Sequence, residues 1–308
     1  MIYDVSHRTT VTYATEVRLA RFNLRLKPAA WPGQTLRDYT MEVSPRPSSV
    51  REESGPYVVN RSRLTLKDPI SALSIESRFR VEVGERPGLL GGLFDGARIG
   101  GSAGGPTVRQ IRQEALNGRD LSPTCPASYL YPSRIAAMSP EIGKWARPWL
   151  ADDAPIIDAG TALTRAIFEQ FKYDKVATKT DTPPAEAFAK KRGVCQDFAH
   201  IMVIAARAHG IPAAYVSGYL RTLPPPGKPR LIGADAMHAW TALWCGPSLG
   251  WIGFDPTNNK LANSDYIFIG MGRDYGDVSP LDGVFHGGAG QTMRLAVDVI
   301  PLEINAIE

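Results

Sequence analysis

The chain has 308 residues, 44% of them hydrophobic and 21% charged, which is the composition of a folded globular protein and excludes large disordered tracts. Its net charge of +4 spreads 35 basic residues among 31 acidic ones without a basic block, so no nucleic-acid surface is expected. The amino terminus lacks a signal-peptide profile, no window is apolar for the length of a membrane span, and three cysteines are too few for a disulfide framework, so a cytoplasmic protein with no membrane partner is expected.

From Tyr3 onward apolar residues alternate with period two: Tyr3, Val5, His7, Thr9, Val11 and Tyr13, later Tyr39, Met41 and Val43, then Leu64 and Leu66, then Ile75 to Val83. This predicts antiparallel strands, and the intervening Trp31-Pro32-Gly33, Pro45-Arg46-Pro47 and Ser54-Gly55-Pro56 supply turns. Residues 1–86 are read as an all-β, sandwich-like domain. Residues 87–106 hold Gly91-Gly92, Gly100-Gly101 and Gly104-Gly105 and are read as a linker or loop, since the Gly-Lys-Ser/Thr ending of a phosphate-binding loop is missing.

Residues 107–308 form the remaining unit. Ser139-Pro140-Glu141 reads as a helix start, and Ile156 to Phe171 carries apolar residues at helical spacing. A short helix over Ala185–Lys191 precedes Gly193, and an apolar helix follows it. From Ala213 the pattern returns to strands, with a proline-rich loop at Leu223–Gly227 and a hairpin turn at Cys245–Ser248. Helices followed by strands predict an α+β domain, with helices packed on an antiparallel sheet.

Cys195 opens the apolar helix after Arg192-Gly193-Val194. A sulfur in a first helical turn meets unpaired backbone N–H groups that favour a thiolate, and the Cys195 backbone N–H can receive a developing oxyanion. His238 lies on one strand-like run and Asp255 ends the next. With the turn centred between Gly246 and Pro247 the two residues oppose each other directly, so the carboxylate would orient the imidazole and leave its second nitrogen for the thiol. A one-residue slip would send them to opposite faces. Trp240 shares the face of His238 and is a candidate pocket wall, while Trp244 and Trp251 read as core.

The other candidates have structural readings. His200 and His209 do not share the face of Cys195, Asp197 supports the helix start, and Cys125 and Cys245 are bland. No Cys-x-x-Cys or His-x-x-x-His pair exists, so neither a metal nor another cofactor is expected.

Gly193-Val194-Cys195-Gln196-Asp197-Phe198-Ala199-His200, Gly210 to Tyr219, His238-Ala239-Trp240 and Asp255-Pro256-Thr257-Asn258 closely resemble the bacterial transglutaminase-like cysteine proteases. The resemblance spans roughly residues 150–300, and the strand-rich start is similar to the β domain that often precedes this core. It implies a papain-like/transglutaminase-like core with Cys195 as nucleophile, His238 as general base and acid, and Asp255 as orienter. The expected activity is that of a cysteine peptidase or amidase on a peptide or protein substrate, working through a thioester. A protein-glutamine transglutaminase and a catalytically idle binding module are the alternatives. Oligomeric state and side-chain preference are not legible in the chain.

Overall fold

The computed structural model describes residues 1–84, 105–118, 120–222, 233, 235–288 and 290–302. Nearly all of the predicted 87–106 linker and the proline-rich loop after Leu223 lie outside the described residues.

The first layer grows from one long strand, β1 (Ile2–Leu24), whose alternate side chains from Tyr3 to Tyr13 are buried as the period-two pattern requires. Its first half pairs antiparallel with β5 (Ile70–Val83), which in turn pairs with β2 (Gln34–Ser44). Its second half, Ala20–Leu24, pairs with β4 (Asn60–Leu66), and β3 (Ser49–Ser54) lies beyond that. The register of β1 breaks between Thr12 and Val17 and again between Arg18 and Arg21, and Leu19 takes a positive φ of 49°. Bulges of this kind let one strand bend out of one sheet into another. Val11, Tyr13, Val17, Phe22, Leu24, Leu64, Leu73 and Ile75 fill the space between the two halves, which is the expected sandwich.

The second layer is built around helices. α1 (Val108–Ala115) starts at Thr107, whose side chain accepts from Gln110 N while Gln110 reaches back to the Thr107 backbone. This capping box was missed, although Thr-x-x-Gln ahead of an apolar run is its signature. α2 (Pro140–Ala146) starts at Ser139 and α3 (Ile156–Gln170) follows, both where the pattern placed them. A two-residue strand, β6 (Lys172–Tyr173), is followed by α4 (Pro184–Lys190), by β7 (Arg192–Gly193) and by α5 (Cys195–Ala208). α5 is buried from Asp197 through Arg207, the environment of a central helix with apolar neighbours on every side.

α5 rests on a five-stranded antiparallel sheet of β8 (Ala213–Leu220), β9 (Met237–Trp244), β10 (Trp251–Asp255), β11 (Lys260–Leu261) and β12 (Tyr266–Gly272), ordered β11-β10-β9-β8-β12. Thr241 Oγ1 donates to the Ala199 carbonyl at 3.0 Å, tying β9 to the helix. These helices on an antiparallel sheet are the α+β core the chain order predicted. No helix among the described residues is long and apolar enough to cross a membrane.

One expectation needs correction. After α6 (Tyr275–Val278), the strands β13 (Leu281–His286) and β14 (Gln291–Leu302) both pair with β1, so the end of the chain joins the amino-terminal sheet rather than the sheet of the 107–308 unit. Strand pairing is non-local, and nothing in an alternating pattern names the partner.

The two layers meet through Tyr3, Val5, Phe79, Val81, Val297 and Val299 against Tyr219, Ile267 and Ile269. Inside this contact His7 Nδ1 and the Tyr219 hydroxyl share a 2.8 Å hydrogen bond, and His7 Nε2 lies 3.0 Å from Thr9 Oγ1. Gln34 extends the sheet edge with its side chain, donating to the Phe268 carbonyl and accepting from the Phe268 N–H, each at 2.8 Å.

Candidate active site

β7 runs parallel to β6 and delivers the chain to Gly193, after which Val194, in extended conformation, caps α5 and Cys195 becomes its first residue. The Asp197 carboxylate bends back over this turn, accepting from Val194 N at 2.8 Å and from Thr178 Oγ1 at 2.7 Å. A Cβ at position 193 would lie 2.5 Å from Asp197 Oδ2, so only glycine leaves room for the clamp. Burial pushes the Asp197 carboxyl above its ordinary range, against those two bonds. Asp197 therefore holds the helix start, as expected from sequence, and Thr178 is a partner the sequence did not reveal. Cys195 is partly exposed, whereas Cys125 and Cys245 are buried. As the first residue of α5, its backbone N–H has no intrahelical acceptor.

β9 and β10 bring His238 and Asp255 together with a 2.7 Å contact between His238 Nε2 and Asp255 Oδ2. The predicted pairing is corrected: Trp244 opposes Trp251 and Thr241 opposes Phe254, so the turn is centred between Pro247 and Ser248. His238 is consequently offset by two residues from a directly opposed partner. A two-residue offset preserves the face, and a diagonal neighbour remains within reach of long side chains. His238 instead opposes Gly218 of β8.

Asp255 is completely buried and accepts five hydrogen bonds. Oδ1 takes the backbone N–H groups of Thr257 (2.8 Å) and Asn258 (3.2 Å), while Oδ2 takes His238, Asn258 Nδ2 (2.6 Å) and the Tyr266 hydroxyl (2.7 Å). Burial alone would raise this carboxyl, but the bonds from His238, Asn258 and Tyr266 hold it below its ordinary value. Burial likewise pulls the His238 imidazole down, yet hydrogen bonds with Asp255 and Cys195 outweigh it and raise the pKa to about 10. With Nε2 committed to the carboxylate, Nδ1 is the nitrogen left for the sulfur. Of the three predicted residues, His238 and Asp255 are thus in direct contact, and Cys195 is near enough to the ring to help raise its pKa.

Trp240 lies behind this pair. Its ring stacks on His238 at 6.1 Å and meets Tyr266 edge-on at 5.3 Å. It is only 3% exposed and lines a cavity of about 70 Å³ with Trp31, Gln34 and Phe268, so it backs the imidazole from inside. Glycines seat it: a Cβ at Gly218 would come 2.5 Å from its Cη2, and one at Gly253 3.0 Å from its Nε1. Tyr266 was not foreseen, because it belongs to β12, on the far edge of the sheet from β10.

His200 and His209 have structural roles. His200 accepts from Tyr275 N at 3.2 Å and stacks on Tyr215, and burial lowers its pKa to about 4. His209, one residue past α5, bonds the Gly143 carbonyl at 2.8 Å. No group of three or more His, Cys, Asp or Glu residues among the described residues is arranged to hold a metal ion.

Comparison with known proteins agrees with this architecture. The family model of the transglutaminase-like superfamily matches residues 144–256, which include Cys195, His238 and Asp255, and the bacterial transglutaminase-like N-terminal region matches residues 3–82. An uncharacterized protein of Mycobacterium tuberculosis is 31% identical over 309 residues, covering 99% of this chain and 94% of that protein. A protein-glutamine gamma-glutamyltransferase of Pseudomonas aeruginosa is 34% identical over 104 residues, 31% of this chain and 15% of that protein. A solved structure from Cytophaga hutchinsonii, described as a candidate cysteine protease, shares the fold with a TM-score of 0.70 at 20% identity, covering 99% of this chain and 92% of that one. The chain belongs to the transglutaminase-like superfamily, with the bacterial amino-terminal region ahead of its core.

Proposed function

We propose that this protein is a thiol-dependent acyl-transfer enzyme, a cysteine peptidase or amidase working on peptide or protein substrates. The observation that carries the reading is the buried Asp255 holding His238 at 2.7 Å, with Cys195 near enough to the same ring to help raise its pKa. In this mechanism the Cys195 sulfur attacks an amide carbonyl carbon, a C–S bond forms, and the C–N bond breaks as His238 gives its proton to the leaving amine. Water, activated by His238, then resolves the thioester, releasing the acid and restoring the thiol. The Cys195 backbone N–H at the start of α5 faces the developing oxyanion. Cys195 is partly open to solvent, and water needs no binding site of its own, which favours hydrolysis.

The partial identity to a protein-glutamine gamma-glutamyltransferase supports a second reading, in which a primary amine resolves the thioester. Mass spectrometry after brief iodoacetamide treatment at neutral pH is expected to find Cys195 alkylated ahead of Cys125 and Cys245. Equal labelling of all three would leave the idle-module alternative. Incubating denatured casein with and without methylamine separates the two chemistries. Amine-independent cleavage that disappears in Cys195→Ala supports hydrolysis, and methylamine incorporation into glutamine without cleavage would sink it.

A further inference from the structure

A cleft of about 1390 Å³ opens between the amino-terminal sheet and the helical core. Its floor is the outer face of the second half of the sandwich, where the strand registers set side chains in cross-strand rows. Arg51 opposes Arg63, Arg63 opposes Asn23, and Asn23 opposes Asp282, while Arg21 sits in the adjacent row opposite Thr65. Arg134 and Lys179 reach it from core loops on the other side. The described lining residues hold six cations, with Arg25 the sixth, and two acids, Asp181 and Asp282. Asp282 is taken by Arg25, and Arg63 pairs with Glu53 at 3.1 Å. Arg21, Arg51, Arg134 and Lys179 have no ion-pair partner among the described residues.

Like charges directly opposite each other on a sheet are destabilising, and in the Arg51–Arg63 pair Glu53 offsets the charge of Arg63 alone. An occupant with carboxylates offsets that of Arg51 as well, because each guanidinium fork matches a carboxylate.

The cleft also touches the catalytic turn. Lys179–Thr182 line it, and the same loop binds the start of α5 through Gln196 Nε2 to the Thr180 carbonyl (2.9 Å) and Thr178 to Asp197. The cleft also reaches Ile204, nine residues along α5 from Cys195, which is ~14 Å along the axis at the helical rise and on the opposite face of the helix. Tyr275 is the single aromatic ring among the described lining residues, so the stacking platform that single-stranded nucleic acid uses is missing.

We propose that this cleft is the docking groove for an acidic segment of the polypeptide substrate, placed so that Asp or Glu side chains away from the reacting carbonyl engage Arg21, Arg51, Arg63 and Arg134. The proposal rests on the acyl-transfer reading of Cys195. It predicts that fluorescein-labelled hexaglutamate binds the full chain in an anisotropy titration, that hexaglutamine does not, and that R51E/R134E weakens binding at least tenfold. Should that double variant fold poorly by circular dichroism, the single variants Arg51→Gln and Arg134→Gln are each expected to weaken it several-fold. Charge reversal outside the cleft, Arg165→Glu on α3, is expected to change the affinity less than twofold. Equal binding of hexaglutamine, an equal loss in R165E, or tighter binding of a labelled thymidine hexanucleotide than of hexaglutamate would each overturn the proposal. Iodoacetamide labelling of the unmodified protein is read in parallel. Unselective labelling removes the enzyme reading whatever hexaglutamate does, whereas absent hexaglutamate binding with selective Cys195 labelling removes the cleft alone.

Discussion

At the residue scale the candidate site is an imidazole held against a buried carboxylate at 2.7 Å. The His238 pKa is raised to about 10 from an ordinary value of 6.5, which suits the proton-donor role proposed for it above. The stability this proton contributes is complete below about pH 6.5 and is lost as pH rises through about 10. Asp255 works the other way: its lowered pKa contributes stability above the ordinary carboxyl range that is lost as pH falls through the folded value. Asp255→Asn removes the carboxylate that offsets the burial of His238. Its imidazole pKa is expected to fall, moving the alkaline limb of activity to lower pH and reducing kcat/KM at least roughly tenfold. The pH profile of kcat/KM for casein cleavage checks this, and an unmoved alkaline limb would show that Asp255 does not set the His238 proton.

At the element scale, chemistry depends on how two strands and one helix terminus are held. The β9–β10 register puts His238 diagonal to Asp255, and the Trp240 ring beneath His238 is seated between glycines of both neighbouring strands. At Gly218 a Cβ would also lie 2.1 Å from the Ile267 carbonyl oxygen, which is backbone and cannot swing aside. Gly218→Ala is therefore expected to spread β8 from β12 and tilt Trp240, costing roughly 1–3 kcal/mol or more. Urea denaturation measures the loss, and a midpoint equal to that of the parent protein would refute the seating argument. The helix start and the alternating strands were readable locally, because Gly193, Cys195 and the period-two residues act within a few positions of each other. The hairpin centre was not: Cys245 N to the Gly250 carbonyl (2.8 Å) and Gly250 N to the Gly246 carbonyl (2.7 Å) close a longer loop than the assumed two-residue turn.

At the scale of the whole molecule the chain closes on itself. β13 and β14 supply hydrogen-bonded neighbours for both halves of β1, and Val297 and Val299 complete the contact between layers. Removing residues 281–308 leaves β1 unpaired along one side and opens that contact. The truncated chain is expected to show no cooperative melting transition by circular dichroism, and a sharp melt near that of the full chain would contradict this. Between the layers, burial lowers the His7 pKa to about 4, and His200 in the core shows the same value. Each is neutral when folded and gains a proton when unfolded, so stability falls as pH drops from about 6.5 to 4. The slope is about 1.4 kcal/mol per pH unit for each histidine. His7→Gln keeps a hydrogen-bonding group for Tyr219 without a titrating ring and should remove roughly half of this acid sensitivity. Urea midpoints compared from pH 7 to 4 test it, and an unchanged slope would place the acid sensitivity elsewhere.

Local order along the chain was enough to determine the strand-rich start, the helices α2 to α4, the apolar helix led by Cys195 and the choice of three chemical groups. Each of these depends on residues close in sequence, through side-chain period, capping and turn chemistry. Tertiary structure alone decided the two-residue offset between His238 and Asp255, the Tyr266 hydroxyl on the buried carboxylate, the return of the last strands to β1 and the cationic cleft between layers. Those features arise from pairing and packing between segments up to about 300 residues apart, a separation over which alternation and helical period carry no information about partners.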